Sequence, residues 1–382
     1  MDPVEFHRQL RGKIEVISRT SISSRAELSL AYTPGVAEAC LAIVGNLAEV
    51  YNLTRKNNMV AVVTDGSAVL GLGNIGPEAS LPVMEGKAIL FKEFADVDAF
   101  PIALKTQDVD EIVRTVELIS PMFGGINLED ISAPRCFEIE ERLNNLLDIP
   151  VFHDDQHGTA IVVLAGLYNA FKVVGKEIDQ VTVVINGVGA AGIAVTKLLF
   201  YAGVKKIILV DSKGIIYEGR DDLNSIKEEM SKITNPEKRT GNLAEAVHGT
   251  DVFIGVSKPG LLTQEMVKTM NDKSIIFAMA NPTPEIMPNL AHGAGAMVVA
   301  TGRSDFPNQI NNVLAFPGIF RGLFDGHIRQ VTMDIKLNVA RALADYVKNP
   351  RPDCVIPDTL DKNVSGVVAE AVKNSKKNII IL

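Results

Sequence analysis

Between Val181 and Gly192 a β-branched run, Val181-Thr182-Val183-Val184-Ile185, enters the turn Asn186-Gly187-Val188-Gly189-Ala190-Ala191-Gly192. The spacing is G-x-G-x-x-G, and the chemistry it suits is the cradling of a pyrophosphate. Only glycine gives such a turn its backbone angles and lets the main chain approach the diphosphate, while the helix behind it offers unpaired N–H groups and a positive dipole end. Gly187, Gly189, Ala190, Ala191 and Gly192 are therefore the candidate dinucleotide-binding residues. A second strand, Lys206–Val210, runs into Asp211, roughly 20 residues beyond the glycines, where a carboxylate would meet ribose hydroxyls. A carboxylate there favours NAD over NADP because it repels a 2′-phosphate, although Lys213 beside it could offset the repulsion. The same pattern recurs at Gly71-Leu72-Gly73-Asn74-Ile75-Gly76, but Pro77 and Pro82 follow so closely that no uninterrupted helix is expected to start there.

A different chemistry sits in two carboxylate pairs, Glu129-Asp130 and Asp154-Asp155. Each pair follows a strand-like run and precedes a helix start, with Ser132 and Pro134 opening one helix and Gly158-Thr159 the other. In an open α/β sheet those strand ends are where ligands bind. Hard oxygen ligands suit Mg²⁺ or Mn²⁺; His153 and His157 flank the second pair, but their company disfavours zinc, and both are read as supporting or structural. Taken alone, either pair reads more readily as dipole partners and solvated charges at a helix N-terminus than as metal ligands.

The elements that must position these groups follow from periodicity. Short apolar runs at Met59–Thr64, Ala99–Leu104 and Val151-Phe152 read as strands, and helical spacing fills Val109–Ile119, Pro134–Leu147 and Thr159–Val174. From Val181 onward strands at Ile207–Val210, Val252–Val256, Ile275–Met279 and Met297–Ala300 alternate with helices. The expected fold class is α/β: an N-terminal α/β domain, then a doubly wound parallel Rossmann-type domain and C-terminal helices. The boundaries expected are 1–155, 156–316 and 317–382, the last a helical segment packing back on the body.

Composition narrows the function classes. The chain has 382 residues, 47% hydrophobic and 22% charged, with a net charge of −8 and no basic cluster interleaved with aromatics, so nucleic acid is not an expected partner. Apolar runs such as Ala160–Leu167 fall short of a membrane span, and the N-terminus lacks a signal-peptide pattern. Cys40, Cys136 and Cys354 have neither disulfide nor metal spacing and read as small buried hydrophobes, which points to a cytoplasmic location.

With Gly124-Gly125-Ile126-Asn127-Leu128-Glu129-Asp130-Ile131 and Val151-Phe152-His153-Asp154-Asp155-Gln156-His157-Gly158-Thr159-Ala160, the sequence resembles the malic enzymes. The likeness extends through Leu28–Ala37, Asp65–Gly76, Leu81–Lys87, Ala280–Glu285 and Asn308–Gly318, in order. It implies oxidative decarboxylation of (S)-malate to pyruvate and CO₂ with reduction of NAD or NADP, in the short bacterial or archaeal form, without a fused extension and as a homodimer or higher homo-oligomer. Carried over by position, it implies Glu129, Asp130 and Asp155 as ligands of Mg²⁺ or Mn²⁺, Lys87 as general base, Asp154 as its support and Tyr32 as general acid. It also implies Ser257 and Asn281 as cofactor contacts, with Asn281 and Asn312 touching substrate. Burial and a nearby metal are expected to pull Lys87 down toward about 7 or 8, where it can take a proton. In place of the arginine that clamps a substrate carboxylate in the long eukaryotic forms stands Ser67-Ala68-Val69, leaving Arg19, Arg25 and Arg303 as unranked candidates. Two other readings stay open: a metal-independent dehydrogenase of another 2-hydroxy or 2-amino acid, and a nucleotide-sensing module without catalysis.

Overall fold

The computed structural model describes residues 2–375, so the last residues of the expected C-terminal segment, 376–382, lie outside the described residues. Four helices, α1 (Pro3–Leu10), α2 (Arg25–Ala31), α3 (Val36–Gly45) and α4 (Val50–Leu53), precede the first sheet, and none of them contains a buried residue. Then β1 (Met59–Thr64), α5 (Pro77–Ala95), β2 (Asp98–Ala103), α6 (Val109–Ile119), β3 (Gly125–Leu128), α7 (Arg135–Leu146) and β4 (Val151–His153) build a parallel sheet of order β2-β1-β3-β4. Its strands are apolar on both faces because helices cover both. A representative cover is α6, which buries Ile112, Val113 and Val116 and is capped where Asp108 accepts from the Glu111 N–H at 3.0 Å.

A long buried helix, α8 (Asp154–Val174), carries the chain to the second sheet. That sheet holds β5 (Thr182–Asn186), β6 (Lys206–Asp211), β7 (Gly214–Ile215), β8 (Val252–Gly255), β9 (Ile275–Ala278) and β10 (Val298–Thr301), in the order β10-β9-β8-β5-β6-β7, all parallel except β7. The connecting helices are α9 (Ala190–Tyr201), α10 (Ser225–Ile233), α11 (Leu243–Val247), α12 (Gln264–Lys268) and α13 (Pro288–Gly293). The chain ends in α14 (Phe316–Gly326), α15 (Met333–Tyr346) and α16 (Asn363–Asn374), with α14 against α5 and α16, and α15 against α8.

Both sheets reverse direction beside their first strand. After β1 the chain adds β2 on one side and β3 on the other, and after β5 it adds β6 on one side and β8 on the other. The crevices at these switch points open at the carboxyl ends of β1 and β3, and of β5 and β8, which is where open α/β sheets bind ligands. One core joins the two sheets: Val60, Val62, Phe91 and Phe152 belong to the same buried cluster as Val183, Ile254, Phe316 and Phe320.

Four local expectations are corrected. A helix does follow Gly76: Pro77 is its first residue, where the missing N–H is unpaired in any helix, and Pro82 forfeits only one bond further on. α8 begins at Asp154 rather than Thr159, so Asp154 and Asp155 lie in its first turn instead of a preceding loop. Arg25–Gly45 and Asp154–Val174 are both long and apolar enough by composition to cross a membrane; the second is 72% buried as a core helix and the first is divided into α2 and α3. Of the three cysteines, all free, only Cys136 is buried, while Cys40 is exposed.

Candidate active site

The carboxyl ends of β3 and β4 deliver four carboxylates to one spot. Glu129 and Asp130 follow β3 directly, and Asp154 and Asp155 open α8 directly after β4. Lys87, from the middle of α5, reaches them with its ammonium 2.6 Å from Asp154 Oδ2 and 2.9 Å from Glu129 Oε1. That ammonium also lies over the Phe316 ring, 4.2 Å from its centroid. Gly158 makes room for the arrangement, because a Cβ there would fall 1.9 Å from Asp154 Oδ1. On the same side, Asn312 packs against Gly158, bringing it next to Asp154.

Charge decides the protonation of this cluster. Burial works to strip Lys87 of its proton, but Asp154, Glu129 and Asp155 together hold it well above the ordinary lysine value. Without a cation, Lys87 is thus an ammonium. Burial pushes Glu129 well up against the pull of Lys87, and it pushes Asp130 to about 7, with the Asp155 charge adding to the rise. Ligand oxygens of Glu129, Asp130 and Asp155 lie within 4.8 Å of one another. Asp130 Oδ2 is buried with no hydrogen-bond partner, an orphaned acceptor of the kind a cation satisfies. The donor set, all carboxylate oxygen and no sulfur or imidazole, fits Mg²⁺ or Mn²⁺.

Partners beyond the cluster fix its orientation, and apart from the two histidines the sequence did not disclose them. Asp155 Oδ2 accepts from the Asp130 N–H at 2.7 Å and from His153 Nε2 at 3.3 Å. Gln156 meets His153 Nδ1 at 2.7 Å and donates to Glu140 Oε2 at 3.0 Å, which orients the His153 ring with Nε2 toward Asp155. His157 meets Glu140 at 2.6 Å through Nε2 and Lys336 at 2.9 Å through Nδ1. Glu140 and Lys336 come from α7 and α15, so no local spacing announces them. Both histidines serve carboxylates or a lysine, in line with the supporting role read for them.

The glycine turn joins β5 to α9 beside this site. Gly187 has φ +118° and a Cβ there would sit 2.5 Å from the Val256 carbonyl oxygen; at Gly192 a Cβ would lie 1.9 Å from the Gly187 oxygen. Gly189 alone faces open space. The first and third glycines are demanded by backbone angle and close packing, and the second keeps the approach to the turn clear. Asn186 donates to Ser257 Oγ at 2.9 Å, tying β5 to the loop after β8. Glu285, buried and pushed up by that burial, accepts from Ser257 N–H and Ala280 N–H, both at 3.0 Å, and so braces the loop that carries Asn281. A Cβ at Gly71 would meet the Asn281 carbonyl oxygen at 2.4 Å, so the discounted glycine motif packs against this loop.

Two sequence-stated positions sit differently from their expectation. Asp211 ends β6 as foreseen, yet its oxygens are filled: Oδ1 by the Lys213 N–H at 2.9 Å and Arg220 Nη1 at 3.0 Å, and Oδ2 by Arg220 Nη2 and by Lys227 Nζ at 2.6 Å. Against its burial, these cations hold it well below the usual carboxylate range. Lys213, the cation expected beside Asp211, pairs through its ammonium with Asp222 at 2.9 Å, and the side-chain cations on Asp211 are Arg220 and Lys227. Tyr32 caps α2, is 67% exposed, and belongs to no hydrogen bond with the Lys87 cluster. Among the arginine candidates, Arg303 is engaged by Asp305 and the Pro282 carbonyl oxygen.

Residues 11–144 match the malic enzyme N-terminal domain and residues 156–376 the malic enzyme NAD binding domain. The chain belongs to the malic enzyme family. It is 58% identical over 374 residues to the bifunctional malic/malolactic enzyme of Bacillus subtilis (strain 168), covering 97% of this chain and 91% of that one. It is 55% identical over 369 residues to the NAD-dependent malic enzyme of Geobacillus stearothermophilus, covering 96% and 77%. Among solved structures, the NAD-dependent malic enzyme of Thermotoga maritima superposes with a TM-score of 0.95 at 50% identity, over 98% of this chain and 99% of that one. The α/β architecture with a Rossmann-type NAD-binding domain is thus the family's.

Proposed function

We propose that this chain converts (S)-malate to pyruvate and CO₂ with reduction of NAD, using Mg²⁺ or Mn²⁺ held by Glu129, Asp130 and Asp155. The observation that carries the reading is the convergence of buried Lys87 with these carboxylates at a sheet switch point. When bound, the cation supplies charge stabilisation for the C2 oxygen and the enolate, and the nicotinamide supplies the hydride acceptor. Lys87 takes the proton of the C2 hydroxyl. With Glu129 and Asp155 committed to a cation, Lys87 would keep Asp154 alone as counter-charge, and burial would then loosen its hold on the proton. Asp154, with its oxygen 2.6 Å from the ammonium, keeps that nitrogen aimed. Tyr32 gives a proton to the enol carbon after CO₂ leaves, and Asn281 and Asn312 donate amide hydrogens to the substrate.

NAD is the preferred acceptor in this reading because Asp211 presents a carboxylate at the end of β6. Its discrimination against NADP is weakened by the Arg220 and Lys227 cations that surround it. The assembly is a homodimer or larger homo-oligomer: α2 and α3 expose Leu30, Leu41 and Val44, an apolar face that a second copy covers, carrying Tyr32 to a neighbouring site. Free thiols fit a reducing compartment, so the location is cytoplasmic.

The two proton transfers are separable. Lys87→Ala suppresses malate oxidation by about a hundredfold to ten-thousandfold, the ordinary worth of a general base. Tyr32→Phe retains more hydride transfer than enolpyruvate protonation, so added pyruvate stops exchanging its methyl protons with deuterated water. Exchange at the parental rate in Tyr32→Phe contradicts the acid role.

A further inference from the structure

A cavity of about 440 Å³ lies behind the carboxylate cluster, where α7 of the first lobe meets α8, α9 and α10 of the second and the segment Gln330–Lys336 of the C-terminal helices. None of Lys87, the four clustered carboxylates, the glycine turn or Asp211 lines it. Its volume is within the range of small-molecule sites. At its wall is Lys336, only 8% exposed, whose hydrogen bond is to a neutral acceptor, His157 Nδ1 at 2.9 Å. No carboxylate forms an ion pair with it among the described residues. Its counter-charge, Glu140, reaches it only through His157, so two of its three N–H donors have no acceptor among the described residues. Burial pulls it down to about 8, with Glu140 opposing and Lys197 adding to the fall, which still leaves a cation at neutral pH.

The other walls say what kind of anion fits. Ile193, Leu198, Ile226 and Met333 give an apolar lining. Three carboxylates stand at the cavity: Glu140, largely buried and taken by His157 at 2.6 Å, and the exposed Glu141 and Glu229, the last already occupying Lys197 at 3.0 Å. A second negative charge on a ligand would meet those carboxylates without a cation to offset them. We propose that this cavity is a second ligand site, built for a monocarboxylate with an apolar body, its carboxylate on Lys336 and its chain along Ile193, Leu198, Ile226 and Met333. The ligand bridges the two lobes and the C-terminal helices. From Lys336 the hydrogen bonds run through His157, Glu140, Gln156 and His153 to Asp155, so an occupant is also felt at the cation site of the proposed function.

Hexanoate is the probe, with succinate and inorganic phosphate as comparison arms. Calorimetry on the full chain, with malate and Mn²⁺ saturating and no dinucleotide present, should give hexanoate a Kd of about 1 mM, as a ligand of that size allows. Lys336→Met removes the charge and Ile226→Trp fills the apolar end; each should weaken hexanoate at least about tenfold, while Lys336→Arg retains binding. Succinate and phosphate should bind at least about tenfold more weakly than hexanoate. In a separate Mn²⁺ titration, hexanoate should shift the apparent Mn²⁺ Kd at least about threefold in the parent and not in Lys336→Met. Absence of saturable hexanoate binding, equal binding by Lys336→Met and the parent, tighter binding of succinate or phosphate, or an unmoved Mn²⁺ affinity would each overturn the proposal. Because Lys336 and Ile226 are outside the carboxylate cluster, failure of the malate reading would leave the hexanoate comparison intact and show itself separately as absent malate turnover.

Discussion

Asp130 keeps its proton up to about pH 7 when no cation is present, raised by burial first and by the Asp155 charge second. A carboxyl raised above its ordinary 3.8 when folded is ionised in the unfolded chain first, so the cation-free protein loses stability as pH rises from about 4 to about 7 at this position. Cation binding requires the ionised form, so it releases the proton and weakens by up to about tenfold per unit below pH 7. Mn²⁺ calorimetry at pH 6 in two buffers of different ionisation enthalpy is expected to report at least about one proton released per site, since Glu129 is raised by burial as well; no release, with affinity flat from pH 5 to about 8, contradicts this electrostatic account. Residue types made the acid pairs candidates for an oxygen-ligand set, but only the family resemblance named Glu129, Asp130 and Asp155. Residue types did not reveal that Lys87 is held as an ammonium, because its state depends on carboxylates from β3 and α8 converging on α5. Nor did they reveal Glu140, Gln156 or Glu285, whose partners are contributed by other elements.

At the scale of elements, the strand-turn-helix around Gly187 was readable because local geometry demands its residues. β1 and α6 were also readable, their apolar periods being unbroken. The reading failed where a local breaker is tolerated by position. Pro77 opens α5, and Asp154 opens α8 without waiting for the expected Gly158-Thr159 start. The three glycines now make different predictions. Gly189→Val places its side chain in open space, so the protein should fold with its thermal midpoint nearly unchanged and lose dinucleotide affinity. Gly187→Ala and Gly192→Ala collide with backbone atoms and should cost stability itself, on the order of 1–3 kcal/mol or more. Thermal melts paired with dinucleotide titrations check the ranking. A Gly189→Val protein that binds dinucleotide as the parent does would break it.

Across the whole molecule, a single buried cluster couples the two sheets to the C-terminal helices. Phe320 on α14 is fully buried, contacts Phe91 at 5.3 Å and Phe152 at 6.1 Å between ring centroids, and occupies the space a Cβ at Gly125 would need. Phe320→Ala should therefore cost about 3–5 kcal/mol and lower a cooperative melt of the whole chain, not melt the C-terminal helices separately. An unchanged midpoint, or a separate early transition, would contradict a shared core. This coupling was not legible in sequence, since Phe320 and its partners are far apart along the chain. The exposed apolar face of α2 and α3 was equally silent, because none of its apolar residues is buried among the described residues. The account as a whole rests on a metal-assisted oxidation that ends in decarboxylation. Its most direct test is an initial-rate assay with malate, NAD and Mn²⁺ that follows reduced dinucleotide, pyruvate and CO₂ together. Equal yields of all three, abolished by EDTA and restored by Mn²⁺, are the predicted result; undiminished turnover in EDTA, or reduced dinucleotide accompanied by a keto acid that keeps its β-carboxylate, would contradict it.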